Sequence, residues 1–557
     1  MNDRRLPWWI ALLTMLLFLP TLRLGFLADF YWFPAMDSGV VTPNYVDFPS
    51  ARAWWHGVGL DAWWASDDFR WNLWRPLSTR LLFLQWDVFG SNALGFHAVS
   101  LATYVAMLAP VWLLYREFLR PRVAALALLL FGSHFSHLQT VWFHSNQHSL
   151  FSVFPALLGF LAHRRWRRGW APGLPLSLAG MALGLGSGET ALGMAGYWLC
   201  NAAAEEGTLR SRILSLAPIA VLLAAYLGAH HALGYTTHGS LIYLDPSGGM
   251  GDFLRNALPR LPALLTGCFN VLPADIWTIR PPLRPLQTLA AGILSVQLLL
   301  LGRMAWSSWT ADERSGALLS LGGMLALLPA TASFPGGRLL LGATIGSSLL
   351  LALLFQQVFS SGTSYRLLVA PLALMNLLLP GVILGRFGPL YQMDAGIQET
   401  AINAEIVDTL PTLVVCLPSE DIALNLLSVR YVYGHHPFPP AWWLLSAAAA
   451  DHRLTRLGPN TLELEVLNGH LLGEEDTERL FRPASWPMRA GDRYAQAGLE
   501  VEVEAVDDVG PTRLRYSLPQ PLERYQVLSW QNGELRKLQL PDVGNSVVLP
   551  WSATPYR

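Results

Sequence analysis

Eleven apolar segments punctuate the first 388 residues, near 7–28, 93–115, 122–141, 148–162, 172–186, 189–204, 212–233, 286–303, 315–332, 338–358 and 366–385. Several reach the ~20 residues that carry a helix across a hydrocarbon core, and others are shorter. Short polar turns rich in arginine separate them. The pattern predicts a polytopic α-helical membrane protein of about 11 transmembrane helices. After residue 388 the period changes. Thr412–Leu417 reads as a buried strand, and Ser419 as the cap of a helix running to about Arg430, with Glu420 and Asp421 in its first turn. Apolar residues then alternate with period two at Leu462, Leu464 and Val466, at Leu499, Val501 and Val503, and at Leu514, Tyr516 and Leu518. That period means half-buried strands. The expected organisation is a membrane domain over 1–388 and a strand-rich α+β domain over 389–557.

Loop charge orients such a chain, because cytoplasmic loops are enriched in Lys and Arg. Arg4 and Arg5 precede the first segment, which shows no small-residue cleavage site and reads as an uncleaved helix. Arg116, Arg120 and Arg122, then Arg164, Arg165, Arg167 and Arg168, then Arg210 and Arg212 fall on the same side as the N-terminus. The proline-broken stretch 258–285 decides the rest. Read as interfacial or re-entrant, it keeps Arg303, Arg314 and Arg366 inside and puts Arg338 and the C-terminal domain outside. Broken apolar backbone at membrane depth needs protein or water around it. The expected placement is N-terminus cytoplasmic and C-terminal domain extracytoplasmic.

Composition sharpens this picture. Charged residues make up 14% of 557, against about 25% in soluble domains. A net charge of −1 offers no basic surface for nucleic acid. Cys200, Cys268 and Cys416 are too dispersed for a disulfide framework or a zinc ribbon.

Between the first two segments lies an outer loop, 29–75, crowded with Asp29, Asp37, Asp47, Asp61, Asp67 and Asp68, with Arg52, Arg70 and Arg75, and with tryptophans including Trp63, Trp64 and Trp74. Tryptophan favours the membrane–water boundary, so interfacial helices along the membrane are expected there. Carboxylates and guanidinium groups at that depth suit a substrate with a lipid tail and a charged head. Asp29 could serve as a general base or hold a metal–phosphate pair, or be a plain helix-end charge. Arg75 and Arg338 offer forks for phosphate oxygens, or anchors to lipid headgroups. Glu189, in the turn Ser187-Gly-Glu189, is an ionisable group predicted on the same face as Asp29. His134, His137, His144 and His148 have no nearby Cys or carboxylate in sequence, so a metal site is not expected from them.

These pieces together resemble the type C fold glycosyltransferases, polytopic enzymes that use lipid-linked sugars, and in particular bacterial relatives of the tetratricopeptide-repeat O-mannosyltransferases. The resemblance rests on Asp29 after the first segment, on Arg75-Pro-Leu77 with Val88-Phe-Gly90 and His97, on His134-Phe-Ser-His137-Leu-Gln139-Thr-Val141, on Ser187-Gly-Glu189-Thr-Ala191, and on Arg338 before a long apolar run. It covers roughly residues 7–360. Where the family often pairs acids, Phe30 follows Asp29; Gln139 stands for a Glu and Gly188 for a Lys, and no tetratricopeptide pattern follows. The resemblance implies transfer of a sugar from a polyprenyl-phosphate donor to an extracytoplasmic glycan, lipid or protein acceptor. Asp29 would be the base, with Arg75, Glu189, Arg338, His137 and Gln139 binding substrate. No cofactor is firmly implied; a divalent metal is the one candidate. Two other readings stay open: a non-catalytic membrane-anchored scaffold, and a lipid or glycan transporter.

Overall fold

The computed structural model describes residues 5–40, 48–66, 69–239, 243–246, 249–359, 362–418, 420–473, 481–483 and 485–553, and within them not the side chains of 28, 29, 37, 48–51, 54, 71, 359, 420, 421, 423 and 424. Asp47, Asp67, Asp68 and Ser419 thus lie outside the described residues. The chain folds as two compact units: Met1–Leu24, Trp74–Tyr235 and Leu244–Phe387 form one, and Gly25–Leu73, Thr236–Tyr243 and Gly388–Arg557 the other.

In the first unit every predicted apolar segment carries a helix. Among the described residues, five helical stretches are long and apolar enough to cross a membrane: Leu6–Arg23, Ala93–Arg116, Leu209–Ala232, Pro281–Ser308 and Thr363–Leu384. Pro121–Gly132, Gly173–Ser187 and Leu341–Gln356 are shorter apolar helices. Length and composition therefore support a multi-pass chain with five full-length spans, and do not establish eleven. The first helix ends earlier than its apolar run: α-helix stops at Phe18 and a 3₁₀ turn carries it to Arg23. The stretch 258–285 breaks into a 3₁₀ turn, the helix Leu261–Cys268 and the single turns Ile276–Ile279 and Pro281–Leu283. Before Pro281 no piece reaches the ~20 residues of a crossing, while Pro281–Leu283 opens the long stretch Pro281–Ser308.

Ion pairs sort the helix ends. Arg164 and Arg168 meet Glu117, Arg167 meets Glu205, and Arg120 lies 3.9 Å from Glu313. Gln356 donates to the same Glu313 at 3.0 Å. The arginine-rich turns that loop charge predicted on one side are thereby gathered at one end of the helices. Three of the helices involved carry candidate residues at the opposite end. Gln147–Arg167 begins beside His148, Thr190–Ala204 beside Glu189, and Leu341–Gln356 beside Arg338. At 1.5 Å per residue the 21-residue helix Gln147–Arg167 separates those ends by about 30 Å.

A helix absent from the sequence reading, Pro76–Phe89, follows Arg75. Proline at its first position suits a helix start, where the missing N–H would be unpaired anyway, and Gly90 at φ 54° ends it. Its arginine and short apolar runs conceal a face that buries Ser78, Thr79, Leu82 and Gln85.

The second unit holds the strands. In chain order they are β1 (Arg70–Trp71), β2 (Thr237–His238), β3 (Thr412–Cys416), β4 (Trp442–Ser446), β5 (His452–Arg456), β6 (Thr461–Val466), β7 (Arg493–Gln496), β8 (Leu499–Val506), β9 (Pro511–Ser517), β10 (Gln526–Gln531), β11 (Glu534–Lys537) and β12 (Ser546–Leu549). A four-stranded sheet has the order β11-β10-β3-β4, and a six-stranded sheet the order β12-β5-β6-β9-β8-β7. β3 is buried along its whole length and pairs in parallel with β4 and β10, which is why it reads as a continuous apolar run. β6 alternates, burying Leu462, Leu464 and Val466 on its inner face. The helix Glu420–Gly434 crosses from β3 to β4 as the sequence implies, four residues longer than expected.

The tryptophan-rich loop as far as Leu73 belongs to this second unit, and its central tryptophans are buried in protein. Trp63 and Trp64 are 4% and 1% exposed and sit in the same core as Leu464, Leu514 and Tyr516. Trp63 Nε1 donates to the Leu445 carbonyl at 3.1 Å. Burial there satisfies the two demands that a membrane boundary also meets, an apolar surface for the ring and a partner for its N–H, so sequence could not separate them. Leu464→Ala should lower the stability of this unit by about 2–5 kcal/mol. Thermal unfolding of the full chain in detergent, followed by protection of the β6 and β9 amides from exchange, would check it.

Candidate functional site

The site-bearing end of the helical unit starts with Arg75, the residue just before Pro76–Phe89. Its Nε donates to Glu189 Oε2 at 2.9 Å, and Nη2 pairs with Oε1, a two-point fork–carboxylate contact. Glu189 precedes the helix Thr190–Ala204, so the pair joins residues 114 apart in sequence. Beside it Ser78 donates to the Ser187 carbonyl at 2.6 Å, tying Pro76–Phe89 to the end of the helix Gly173–Ser187, from which the chain turns to Glu189.

His148 completes this group. Its Nδ1 lies 2.7 Å from the Ser145 carbonyl, a contact that requires Nδ1 to carry the proton. Arg75 Nη1, 3.3 Å from the same nitrogen, is then a neighbour and not its donor. Gly188 makes room for the ring: a Cβ there would come 2.9 Å from His148 Cδ2. Trp74 extends the site as an aromatic wall, stacked with Tyr226 at 5.2 Å and Tyr235 at 5.9 Å.

Arg338 stands in a 3₁₀ turn before Leu341–Gln356. Its guanidinium lies 3.7 Å from the centre of the Phe334 ring, and Nη2 donates to Ser333 Oγ at 3.1 Å. Among the described residues it forms no ion pair. Arg338 and His148 both lie at the helix ends remote from the arginine-rich turns. The turn itself is pinned from below. Gln139 Nε2 donates to Asp275 Oδ1 at 2.8 Å, Gln139 Oε1 accepts from the Arg338 N–H at 3.2 Å, and Asp275 Oδ2 accepts from the Gly337 N–H at 3.2 Å. Gly337 is required by packing, since a Cβ would meet the Ser136 carbonyl at 2.8 Å.

The sequence reading therefore singled out Arg75, Glu189, Arg338 and Gln139, and the structure brings them to one end of one unit. It missed His148 as a site member and Asp275 altogether. Asp275 lies in the proline-broken stretch, where no period marks it. The other residues fall elsewhere. His137 is fully buried, with Nδ1 2.6 Å from Tyr104 OH and Nε2 2.8 Å from Thr344 Oγ1, so both ring nitrogens are taken by protein. His144 lies in a 3₁₀ turn, and its ring centre is 4.2 Å from that of His97. Asp29 lies not at the end of the first helix but in a 3₁₀ turn, Ala28–Tyr31, of the second unit, and its side chain is outside the described residues. Among the described residues no three His, Cys, Asp or Glu side chains come together as a metal site would need.

The surrounding protein pushes the Glu189 carboxyl up, but the Arg75 guanidinium and its hydrogen bonds outweigh this and hold it below the usual carboxylate range. The Glu189 side chain is 41% exposed, so solvent screens the pair and only the direction matters for stability. A carboxylate whose folded pKa is depressed stabilises the fold above its unfolded pKa, about 4.3, and the gain is lost as pH falls through the folded value. The difference in melting temperature between wild type and Glu189→Gln should be constant above pH about 4.3 and shrink below it.

No family model matches the chain, and no curated protein matches it. Among solved structures it is similar to the oligosaccharyltransferase of Archaeoglobus fulgidus. The apo form aligns with a TM-score of 0.42 at 13% identity, over 78% of this chain and 64% of that one. The form tethered to an acceptor peptide containing the NVT sequon gives 0.41 at 13% identity, with 78% and 64% covered. The complex with an inhibitory peptide and a dolichol-phosphate gives 0.41 at 14% identity, with the same coverage. The chain thus spans about 64% of the length of that enzyme. The expected kinship with tetratricopeptide O-mannosyltransferases has no counterpart among these. At such scores the function has to be argued from the residues.

Proposed function

We propose that the chain is a membrane glycosyltransferase of the type C kind, moving a sugar from a polyprenyl-phosphate donor to an extracytoplasmic acceptor. The observation that carries this reading is Arg338: a guanidinium in a braced turn, without a carboxylate partner among the described residues, at the end of the helices remote from the arginine-rich turns. A fixed cation there suits the phosphate of a donor whose tail lies in the membrane. Charge accumulates on that phosphate as the glycosidic bond breaks, so a preorganised donor favours the transition state over the ground state.

Arg75 takes a different part from the one its sequence suggested. Its charge is matched by Glu189, which orients the guanidinium and leaves the pair able to bind sugar hydroxyls on either side. Trp74 and Tyr235, both only partly buried, give a ring surface beside it. His137 has no part in substrate binding, because its nitrogens are engaged. Asp29 remains the proposed base on chemical grounds. For the lipid tail, an apolar groove of about 1150 Å³ runs between Arg284–Ala305 and Thr363–Leu377, from Pro285 and Val271 toward Leu300 and Leu367. It begins at the helix end where Gln287 donates to the Pro273 carbonyl, two residues from Asp275.

Purified full-length protein incubated with a radiolabelled polyprenyl-phosphate sugar should release the sugar to water or to an added acceptor, and the Arg338→Gln variant should not. Binding of the donor by wild type with no turnover under any acceptor would instead support the scaffold or transporter reading.

A further inference from the structure

The opposite end of the helical unit carries a pocket that this reading does not use. It has a volume of about 380 Å³ and lies between the ends of Gln147–Arg167 and Leu209–Ala232, lined by Trp166, Arg167, Arg210, Ser211, Leu214 and Ser215, with Thr208 at its edge. Its polar side is partly organised already. Arg167 Nε pairs with Glu205 at 2.9 Å while Nη2 donates to Ser211 Oγ at 3.2 Å. Glu205 in turn accepts from Asn201 Nδ2 at 2.6 Å. Glu205 therefore matches the charge of Arg167. Arg210 is exposed and, among the described residues, pairs with no carboxylate. The neighbouring turns add to the imbalance, with Arg164, Arg165, Arg168 and Arg212 set against Glu117 and Glu206.

The pocket's other side is apolar, and the helix that forms it faces outward. Leu209, Ile213, Leu214 and Val221 are 71%, 58%, 58% and 68% exposed, which suits contact with hydrocarbon and not with water. Only 17% of that helix's most apolar window is buried in protein. A group bound at its first turn therefore lies at the depth of lipid headgroups, with arginine and hydroxyl groups on one side and Trp166 and Leu214 on the other. Basic pockets between transmembrane helices bind anionic lipid heads, and guanidinium forks match phosphate oxygens.

We propose that this pocket binds the phosphate group of an anionic phospholipid in the leaflet on the arginine-rich side. Arg210 supplies the uncompensated charge, Ser211 and Thr208 supply hydroxyl donors, and the first part of the acyl region rests on Trp166 and Leu214. The site is distinct from the Arg75–Glu189 end and does not depend on the chain being a glycosyltransferase.

The test uses delipidated full-length protein in a neutral detergent, titrated separately with a short-chain phosphatidylglycerol, the matching phosphatidylcholine and inorganic phosphate. Phosphatidylglycerol should bind in preference to phosphatidylcholine. One Arg near a membrane surface is worth a factor of about five in binding, so Arg210→Gln should weaken phosphatidylglycerol by about that factor. Arg210→Lys should retain most of it, and Arg303→Gln, an exposed arginine outside the pocket, should change nothing. Melting temperatures of all three variants should match wild type, because both side chains are exposed. Equal binding of the two lipids would overturn the proposal, as would an Arg210→Gln variant that binds like wild type. Saturation by inorganic phosphate at the same concentration as the lipid would assign the pocket to a soluble anion and overturn the lipid assignment.

Discussion

Arg338→Gln is expected to lower sugar transfer by about 10²–10³-fold, the loss seen when one preorganised donor to a developing charge is removed. Glutamine keeps two donors and much of the length but loses the charge. The guanidinium is already placed: the Phe334 ring lies 3.7 Å from it, and the Arg338 backbone is held by Gln139. Little reorganisation is then needed when negative charge builds on the leaving phosphate. Arg338→Lys should recover only part of the loss, because an ammonium lacks the fork that meets two oxygens and stacks poorly on the ring. The split between constants is diagnostic. If Arg338 acts on the transition state, kcat falls more than donor affinity; if it merely anchors a headgroup, KM rises and kcat holds. Asp275→Asn tests the support beneath it. That change keeps an oxygen to accept from one of Gln139 and Gly337 and removes the charge, so it should produce a milder loss of the same kind, with melting temperature little changed.

Much of this was legible in the sequence, for identifiable reasons. Burial in two environments leaves two periods, and the shift after residue 388 from apolar runs to alternation at Leu462, Leu464 and Val466 coincides with one of the places where the chain passes from the first unit to the second. Loop arginines fix helix ends because they pair across the turns, as Arg164 and Arg168 do with Glu117. Arg75, Glu189 and Arg338 stood out because charge is rare in apolar surroundings. What was hidden is tertiary. The ring of Trp63 looks the same whether it rests on lipid or on Tyr516, 5.9 Å away. His148 is one of four histidines until the Gly188 turn closes on it, and Asp275 matters only because Gln139 and Gly337 arrive from distant parts of the chain. Arg75 looked like a phosphate ligand because nothing local indicates that Glu189 will neutralise it.

Asp29→Asn should have the largest effect, a fall of about 10²–10⁴-fold in transfer, the usual range when a general base is removed. A base must be ionised at working pH and must reach the acceptor hydroxyl, and asparagine preserves size while removing the proton acceptor. The backbone at Asp29 is a short 3₁₀ turn set among aromatic side chains. Phe26 and Phe30 lie 4.8 Å apart, Phe30 stacks on Phe33 at 5.0 Å, and Tyr31 packs edge-on to Tyr433 at 5.8 Å. The turn is also tied to the helix Gly388–Asn403, since Asp394 accepts from the Gly25 N–H at 2.9 Å. Such packing holds a turn rigidly, which a positioned base requires and a casual surface charge does not. Donor binding should survive the substitution, because the phosphate is assigned to Arg338. Asp67→Asn and Asp68→Asn, farther along the same loop, should be mild. The assay compares all three variants at saturating donor and acceptor, with donor affinity measured separately. If Asp29→Asn transfers sugar at close to the normal rate, the base lies elsewhere. Glu189 would be a poor substitute, because Arg75 holds its carboxyl below the usual range and so weakens its pull on a proton. The search would then move to Asp37 and Asp47, and failure at both would remove the transferase reading itself.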